Sequence, residues 1–586
     1  MKHLLPAVLL LAQSLPGAEP APREEQADRF ADSFGVWLQI NHNQSLDKDL
    51  ADVSHYKGVM FTKAWSEIER ADGVFDWTRL DANLEKAASL GLYCAIGIPT
   101  GPMSPKWIYE RGVPKVMTEG HNRSGPYPYY LDARYAAFHD RMLAEFGRHV
   151  RSLPPRLTDK LVCVLVMTGS TQDEAPYKGT PVPATYVISK DEWLKFRLDA
   201  FAKYNAAFQQ GLGPVIPLLF NGLMPWSDFQ EGPQAHAWVR ANIRGPWGQK
   251  EASHFYQVNG EAARMKEYLP HLIDREPGDG DLAFTRCEMD ATWRKPIFQT
   301  NVAMNFYWTA LSSLHGGIGA WHLTSTARDW CREHNGWEFV EFFNKHAGQT
   351  RSASATGAFC ALHEGLDSAD TKKFPEAIYG EATQKNRKRY VAICAAHAAK
   401  GARMDSPDAV LNGQGNQRNT QSGLNDSGWE IERGNYERFL HQIAPDETSM
   451  GWWRVGGAVT ASTPVYARFA RGFDHAGGKD AMYFDVQDSF FQGHPLDGAY
   501  PVTIRVVYYD KGSGQWALRY DATGDPQKTA CVVTKADSGT WKEKIVVLDD
   551  AHFGNRGPRG ADVMLVNTDA EDDIFHMIEL KREKRR

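Results

Sequence analysis

Leu161-Val162-Cys163-Val164-Leu165-Val166-Met167 is an unbroken apolar run that ends in Thr168-Gly169-Ser170-Thr171-Gln172-Asp173-Glu174. A short apolar segment closed by small and polar residues reads as a strand buried on both faces. The pattern repeats on either side, at 35–40, 59–62 and 93–98 upstream and at 215–220, 255–258, 282–287 and 318–322 downstream. Segments of helical spacing separate these runs, at 84–90, 135–149, 190–210, 261–272 and 299–314. Buried strands alternating with helices imply a parallel sheet covered on its outside. Eight such units within about 320 residues suit a closed (β/α)8 TIM barrel over 30–350. The alternative is an open doubly wound sheet, which usually announces a Gly-rich first turn for a nucleotide, and none follows Ile40.

Beyond the barrel the rhythm changes. A helix is expected at 337–345, then a partly helical extension or linker over 351–430 with a polar stretch at 412–427. From 431 to 586, short and partly alternating runs at 482–486, 502–509, 516–520, 529–533, 544–547 and 563–566 are punctuated by turns such as Asp510-Lys511-Gly512-Ser513-Gly514. This is the signature of a β-sandwich. Its aromatics Trp516 and Tyr508 are candidates for glycan contact, although alternating strand aromatics more often face a core.

At the start of the chain, Lys2 and His3 precede an apolar segment at 4–15, then Pro16-Gly17-Ala18. A signal peptide over about 1–21 and an exported mature protein are the expectation. No later run reaches the roughly 18 apolar residues of a membrane span. The formal charge is −6 and the pI about 6.4, with acids and bases interspersed, so nothing argues for a nucleic-acid partner. Seven scattered cysteines (Cys94, Cys163, Cys287, Cys331, Cys360, Cys394 and Cys531) show no C-x-x-C spacing, which disfavours a zinc site. Cys94, Cys163 and Cys287 fall in strand-like runs, where a thiol packs as a small hydrophobe.

A closed barrel carries its chemistry at the carboxyl ends of its strands. Those ends hold His42 and Asn43, Lys63 and Trp65, Pro102 and Trp107, Gln172 to Glu174, Asn221, Tyr256, Glu288, and Trp321 with His322. Indole faces stack on sugar rings while amides and imidazoles fix hydroxyls, so a rim of this mixed kind suits carbohydrate better than phosphate or hydride chemistry. Taken singly, each Trp is more often packing, and each Glu more often a solvated loop residue. The cationic groups Lys63, Lys178, His254 and His322 admit an anionic sugar, such as a sulfated galactan or a uronic-acid polymer. No metal or other cofactor is expected.

Trp65-x-x-Ile68-Glu69-x-x-x-Gly73-x-Phe75-Asp76-Trp77-x-x-Leu80-Asp81 resembles the strand-two exit of clan A glycoside hydrolases, closest to the family 42, β-galactosidase-like group. The stretches 96–107 and 310–321 are similar to that family's third-strand exit and to its final helix and eighth strand. The resemblance covers roughly residues 34–350. It implies a retaining glycosidase acting on a β-linked, galactose-type oligo- or polysaccharide, with Glu174 as acid/base and Glu288 as nucleophile. The candidate substrate-binding positions are Trp65, Trp107, Asn221, Tyr256, Trp321 and His322 from the rim, with Asp173 and Arg286 beside the two carboxylates. Two departures stand out. Asp173 replaces the asparagine the family has before its acid, which leaves Asp173 as an alternative acid. An ungapped alignment also puts Val59 where the family carries an arginine supporting the nucleophile, and Arg286, two residues before Glu288 on the same strand face, is a possible substitute. The competing reading is a non-catalytic glycan-binding protein on a glycosidase barrel.

Overall fold

The computed structural model describes residues 31–40, 46, 52–120, 125–170, 175–223, 231–250, 282–289, 292–294, 302–363, most of 371–389, 392, 434–455, 468–491 and 493–582. The expected leader, His42, Asn43, Gln172, Asp173, Glu174, His254, Tyr256, the strand at 255–258 and the helix at 261–272 lie outside the described residues.

Eight parallel strands close into a ring: β1 Gly35–Ile40, β2 Gly58–Thr62, β3 Tyr93–Gly97, β4 Leu161–Leu165, β5 Leu218–Phe220, β6 Trp247–Lys250, β7 Leu282–Glu288 and β8 Ala320–Thr324. β8 pairs with both β7 and β1, which completes the barrel. Side chains alternate along each strand. Val36, Leu38, Val59, Phe61, Ile96, Val164, Leu218, Phe220, Cys287, Trp321 and Leu323 point outward and join one large core with the surrounding helices. Trp37, Met60, Ala95, Cys163, Leu165, Leu219 and Ala320 form a separate inner cluster that fills the barrel. The covering helices include Thr78–Ser89, Ala133–Arg151, Lys190–Gln209, Val302–His315 and Glu338–His346.

One strand differs from expectation. The sixth is Trp247–Lys250, not 255–258. Trp247-Gly248-Gln249-Lys250 carries one large apolar residue, because only Trp247 reaches the outer core, so it has no apolar run for a sequence reading to detect.

Segments that follow β3 and β4 build a small antiparallel sheet, Lys115–Glu119 flanked by Tyr127–Pro128 and Thr180–Val182. It stands on the same side of the barrel as the strand ends that carry the site.

The C-terminal region is a sandwich of a seven-stranded and a five-stranded sheet. Ile574–Arg582 is central to the larger sheet, pairing with Gly357–Ala361, Arg468–Gly472 and Val502–Asp510. Gly357–Ala361, within the stretch expected to be partly helical, is therefore a sandwich strand. Trp516 and Tyr508 face the sandwich core, where Trp516 also packs on Phe575. The opposite face of the larger sheet meets the barrel through Val507, Tyr509, Trp541, Ile574 and Met577, which share the large core. Tyr307 of a barrel helix bonds His576 of this sheet at 2.7 Å.

Candidate active site

Period-two alternation selects the site residues. On β7, Cys287 faces outward, and Arg286 and Glu288 face the barrel interior and its mouth. On β8, Trp321 is outward and His322 inward. Strand register sets Arg286 beside Lys250 of β6, and Glu288 beside His322, which in turn neighbours Trp37 of β1.

These side chains form one hydrogen-bonded group. Lys250 Nζ donates to Glu288 Oε1 at 2.6 Å. Arg286 Nη2 donates to Glu288 Oε2 at 2.6 Å, and Arg286 Nε donates to His322 Nδ1 at 2.7 Å. Arg286 is 2 % exposed and Glu288 12 %. Both oxygens of Glu288 thus accept charge-assisted bonds, an arrangement suited to an ionised carboxylate. Burial, reinforced by Arg286 and opposed by Glu288, pushes His322 well below the ordinary imidazole range. A neutral ring that accepts at Nδ1 carries its proton on Nε2. The His322 ring lies against Trp37, with centroids 5.6 Å apart and planes 19° from parallel.

Several expectations require correction. His322 is uncharged, so it is not one of the rim's cations. Trp321 is fully buried outside the barrel, against Phe339 and Phe343, and offers no face to a sugar. Trp65 is fully buried too: its Nε1 donates to Glu69 Oε2 at 2.7 Å, and its ring packs on Trp107 and Tyr135. Trp107 Nε1 donates to the Glu69 carbonyl at 2.9 Å, and Arg141 covers its ring. Both indoles brace the loop after β2 instead of forming sugar platforms. Val59 belongs to the outer core, so a side chain there could not reach Glu288. The cations on Glu288 come from Arg286 and Lys250. Asn221 lies just beyond β5, buried, with its carbonyl accepting from Arg197 at 3.0 Å.

Of the residues singled out in the sequence, the structure brings Glu288, Arg286 and His322 together, and it adds Lys250 and Trp37, which the sequence reading did not single out. Trp37 was legible in principle, since period two from Gly35 puts it on the same face as the interior residues of β8. Lys250 had no such signal, because its strand was not recognised.

The motif after β2 has a structural explanation. The Glu69 carboxylate accepts from Trp65 Nε1, from the Gly73 amide at 2.8 Å and from Arg141. Gly73 takes a φ of +75°, a left-handed conformation that glycine adopts without strain. After β3, Gly101 has a φ of +61°, and a β-carbon there would lie 2.6 Å from Tyr130 Oη and 2.9 Å from the Gly169 carbonyl. Thr100 Oγ1 also donates to the Met167 carbonyl at 3.3 Å. The exits of β3 and β4 are thereby locked together. Past β4, the Ser170 amide donates to the Ala175 carbonyl at 2.8 Å.

Residues 42–160 match the family Glyco_hydro_42, described as beta-galactosidase. The matched segment carries β2, β3 and the helices Thr78–Ser89 and Ala133–Arg151 of the closed barrel, and over that part the chain is similar to β-galactosidase-like glycosidases. Among solved structures, the chain is similar to xylanase B from Clostridium stercorarium F9, at 12 % identity over 51 % of this chain and 88 % of that one, with a TM-score of 0.30. It is also similar to Gan42B, a GH42 beta-galactosidase from G. stearothermophilus, at 13 % identity over 54 % and 57 % of the two chains, with a TM-score of 0.35. No curated protein matches the chain.

Proposed function

We propose that the protein is a retaining glycoside hydrolase that cleaves a β-linked, galactose-type glycan by double displacement. Glu288 attacks the anomeric carbon, and Glu174 protonates the departing oxygen and then activates the water that frees the sugar. The observation that carries the reading is Glu288 at the barrel mouth, at the end of β7, with Arg286 and Lys250 each bonded to one of its oxygens. Donors on both oxygens orient the carboxylate and keep it anionic for attack. The neutral His322, its Nε2–H free of the Arg286 bond, is suited to donate to a sugar hydroxyl. In the sequence Glu174 follows β4 and immediately precedes Ala175, whose carbonyl accepts from the Ser170 amide at 2.8 Å. Retention requires the two carboxyl groups about 5–5.5 Å apart. Export after removal of a leader over about 1–21 suits an enzyme that meets polymeric glycans outside the cell.

The test is hydrolysis of aryl β-glycosides followed by NMR. The first-formed product should keep the β configuration, and Glu288→Gln should lower kcat on the order of 10³-fold or more while the fold persists. An inverted product, or equal turnover by the variant, would remove Glu288 from the nucleophile's role.

A further inference from the structure

Four consecutive strands of the ring, β7, β8, β1 and β2, line one side of the barrel mouth. Glu288, His322, Gln39 and Thr62 point inward from them, because the alternate positions on each strand belong to the outer core. Strand register fixes their heights. His322 lies beside both Glu288 and Trp37, and Trp37 lies beside Gly58. Round a tilted eight-stranded barrel, a level path advances about one residue per strand. Two strands on from Glu288 that path reaches Gln39, and three strands on it reaches Phe61, next to Thr62. The carboxylate, the amide and the hydroxyl therefore stand at one level of the mouth.

Gln39 and Thr62 differ from Glu288 in what they touch. Thr62 is 1 % exposed and Gln39 is half-buried. Thr62 Oγ1 and Gln39 Oε1 are both shielded from the surface, and neither meets a hydrogen-bonding partner among the described residues. A buried polar atom left unpaired destabilises a fold, so two of them beside a candidate nucleophile call for an account. An amide both donates and accepts, and so does a hydroxyl. Set inward from neighbouring strands, the pair matches two adjacent hydroxyls of one sugar ring. His322, on the strand between Glu288 and Gln39, continues the same arc.

We propose that Gln39 and Thr62 determine specificity by hydrogen-bonding two neighbouring hydroxyls of the ring that Glu288 attacks, so that the glycan must carry that ring unsubstituted at both positions. This rests on the nucleophile reading of Glu288 and adds to it the residues that read the ring and the substitutions they exclude. A missing hydroxyl, a methyl ether or a sulfate ester at either position removes the O–H that would pair with Gln39 or Thr62 and strands a buried polar atom in the complex. Were the two side chains only packing residues, loss of either would slow every ring by the same factor.

The experiment compares kcat/KM of the full chain on 4-nitrophenyl β-galactoside and its 2-, 3-, 4- and 6-deoxy analogues, for wild type, Thr62→Val, Thr62→Ser and Gln39→Met. Comparing variants on one analogue cancels that analogue's own reactivity. Thr62→Val should lose on the order of 10–100-fold on the parent galactoside and almost nothing on one deoxy analogue. Gln39→Met should do the same, with its silent analogue at an adjacent ring position. Thr62→Ser, which keeps the hydroxyl, should stay near wild type. Wild type should also reject galactosides methylated at those two positions, an arm that needs no variant to fold. Losses equal across all five substrates overturn the proposal. So do variants as active as wild type, the result if the two atoms face ordered water only, and so does a wild type that turns over every mono-O-methyl galactoside. Failure of the underlying reading looks different and takes the proposal with it: no aryl β-glycoside is turned over, or Glu288→Gln stays fully active.

Discussion

Glu288 is set by its neighbours more than by its own strand. Arg286 reaches it from two positions earlier on β7 and Lys250 from the adjoining strand, while Arg286 also fixes the imidazole of His322. This arrangement makes a prediction about protonation. His322 is held well below the ordinary imidazole range by burial and by Arg286, so it should stay neutral between pH 5 and 8. Nitrogen-15 NMR of the ring should show the Nε2–H tautomer unchanged across that interval, and a titration there would contradict the network. A pH–rate profile should likewise show no limb belonging to His322. At this scale the sequence was informative where strands are strongly apolar, because alternation from a known strand end places Arg286, Glu288 and His322 on one face. It misled for Trp65, Trp107 and Trp321. An indole near a strand end is equally compatible with the mouth and with the outer core, and only packing decides between them. Trp321 illustrates this: one position from His322, it faces the opposite way.

At the scale of elements, the barrel's mouth is held by contacts between successive strand exits. Glu69 gathers the loop after β2, and Gly101 brings the exit of β3 against that of β4. Gly101→Ala should therefore act twice. The positive φ would be strained by a side chain, and the added carbon would meet Tyr130 Oη and the Gly169 carbonyl. A stability loss of about 1–3 kcal/mol is expected, read as a lowered Tm. Displacement of the β4 exit should also lower kcat in the still-folded protein, whereas unchanged kcat would show that the contact does not position the site. The strand count and most helices were readable because the outer faces of both are continuous apolar surface. β6 was not readable, because its interior positions are filled by Gly248 and Lys250 and its outward positions pair a single Trp with the polar Gln249. The larger sandwich sheet was half hidden for another reason: Gly357–Ala361 lies far in sequence from the strands it joins.

Across the whole molecule, the sandwich is pinned to the barrel by a buried carboxylate. Glu579 of the central sandwich strand accepts from Lys345 at 2.7 Å and from His346 at 2.8 Å, both on the last barrel helix, and also from Arg505 of its own sheet. Burial opposes its ionisation, but the bond to His346 and the charges of Arg505 and Lys345 outweigh it and hold the carboxyl far below the usual range. A depressed carboxyl contributes stability that is complete above its unfolded value, here 4.5, and is lost as the pH falls below it. Acid should thus weaken the barrel–sandwich contact. Glu579→Gln should cost about 3–5 kcal/mol near neutrality by stranding buried donors, with the gap from wild type shrinking as the pH falls below 4.5. Denaturation monitored at several pH values checks this, and a gap that widens in acid would contradict it. The account as a whole turns on Glu288. Its most direct test is trapping with a 2-fluoro glycoside bearing a good leaving group, followed by peptide mass spectrometry. One fluoro-sugar attached to the peptide at Glu288, with activity lost in proportion, is the predicted result. An adduct on another residue, or continued turnover with inverted product and no adduct, would contradict it.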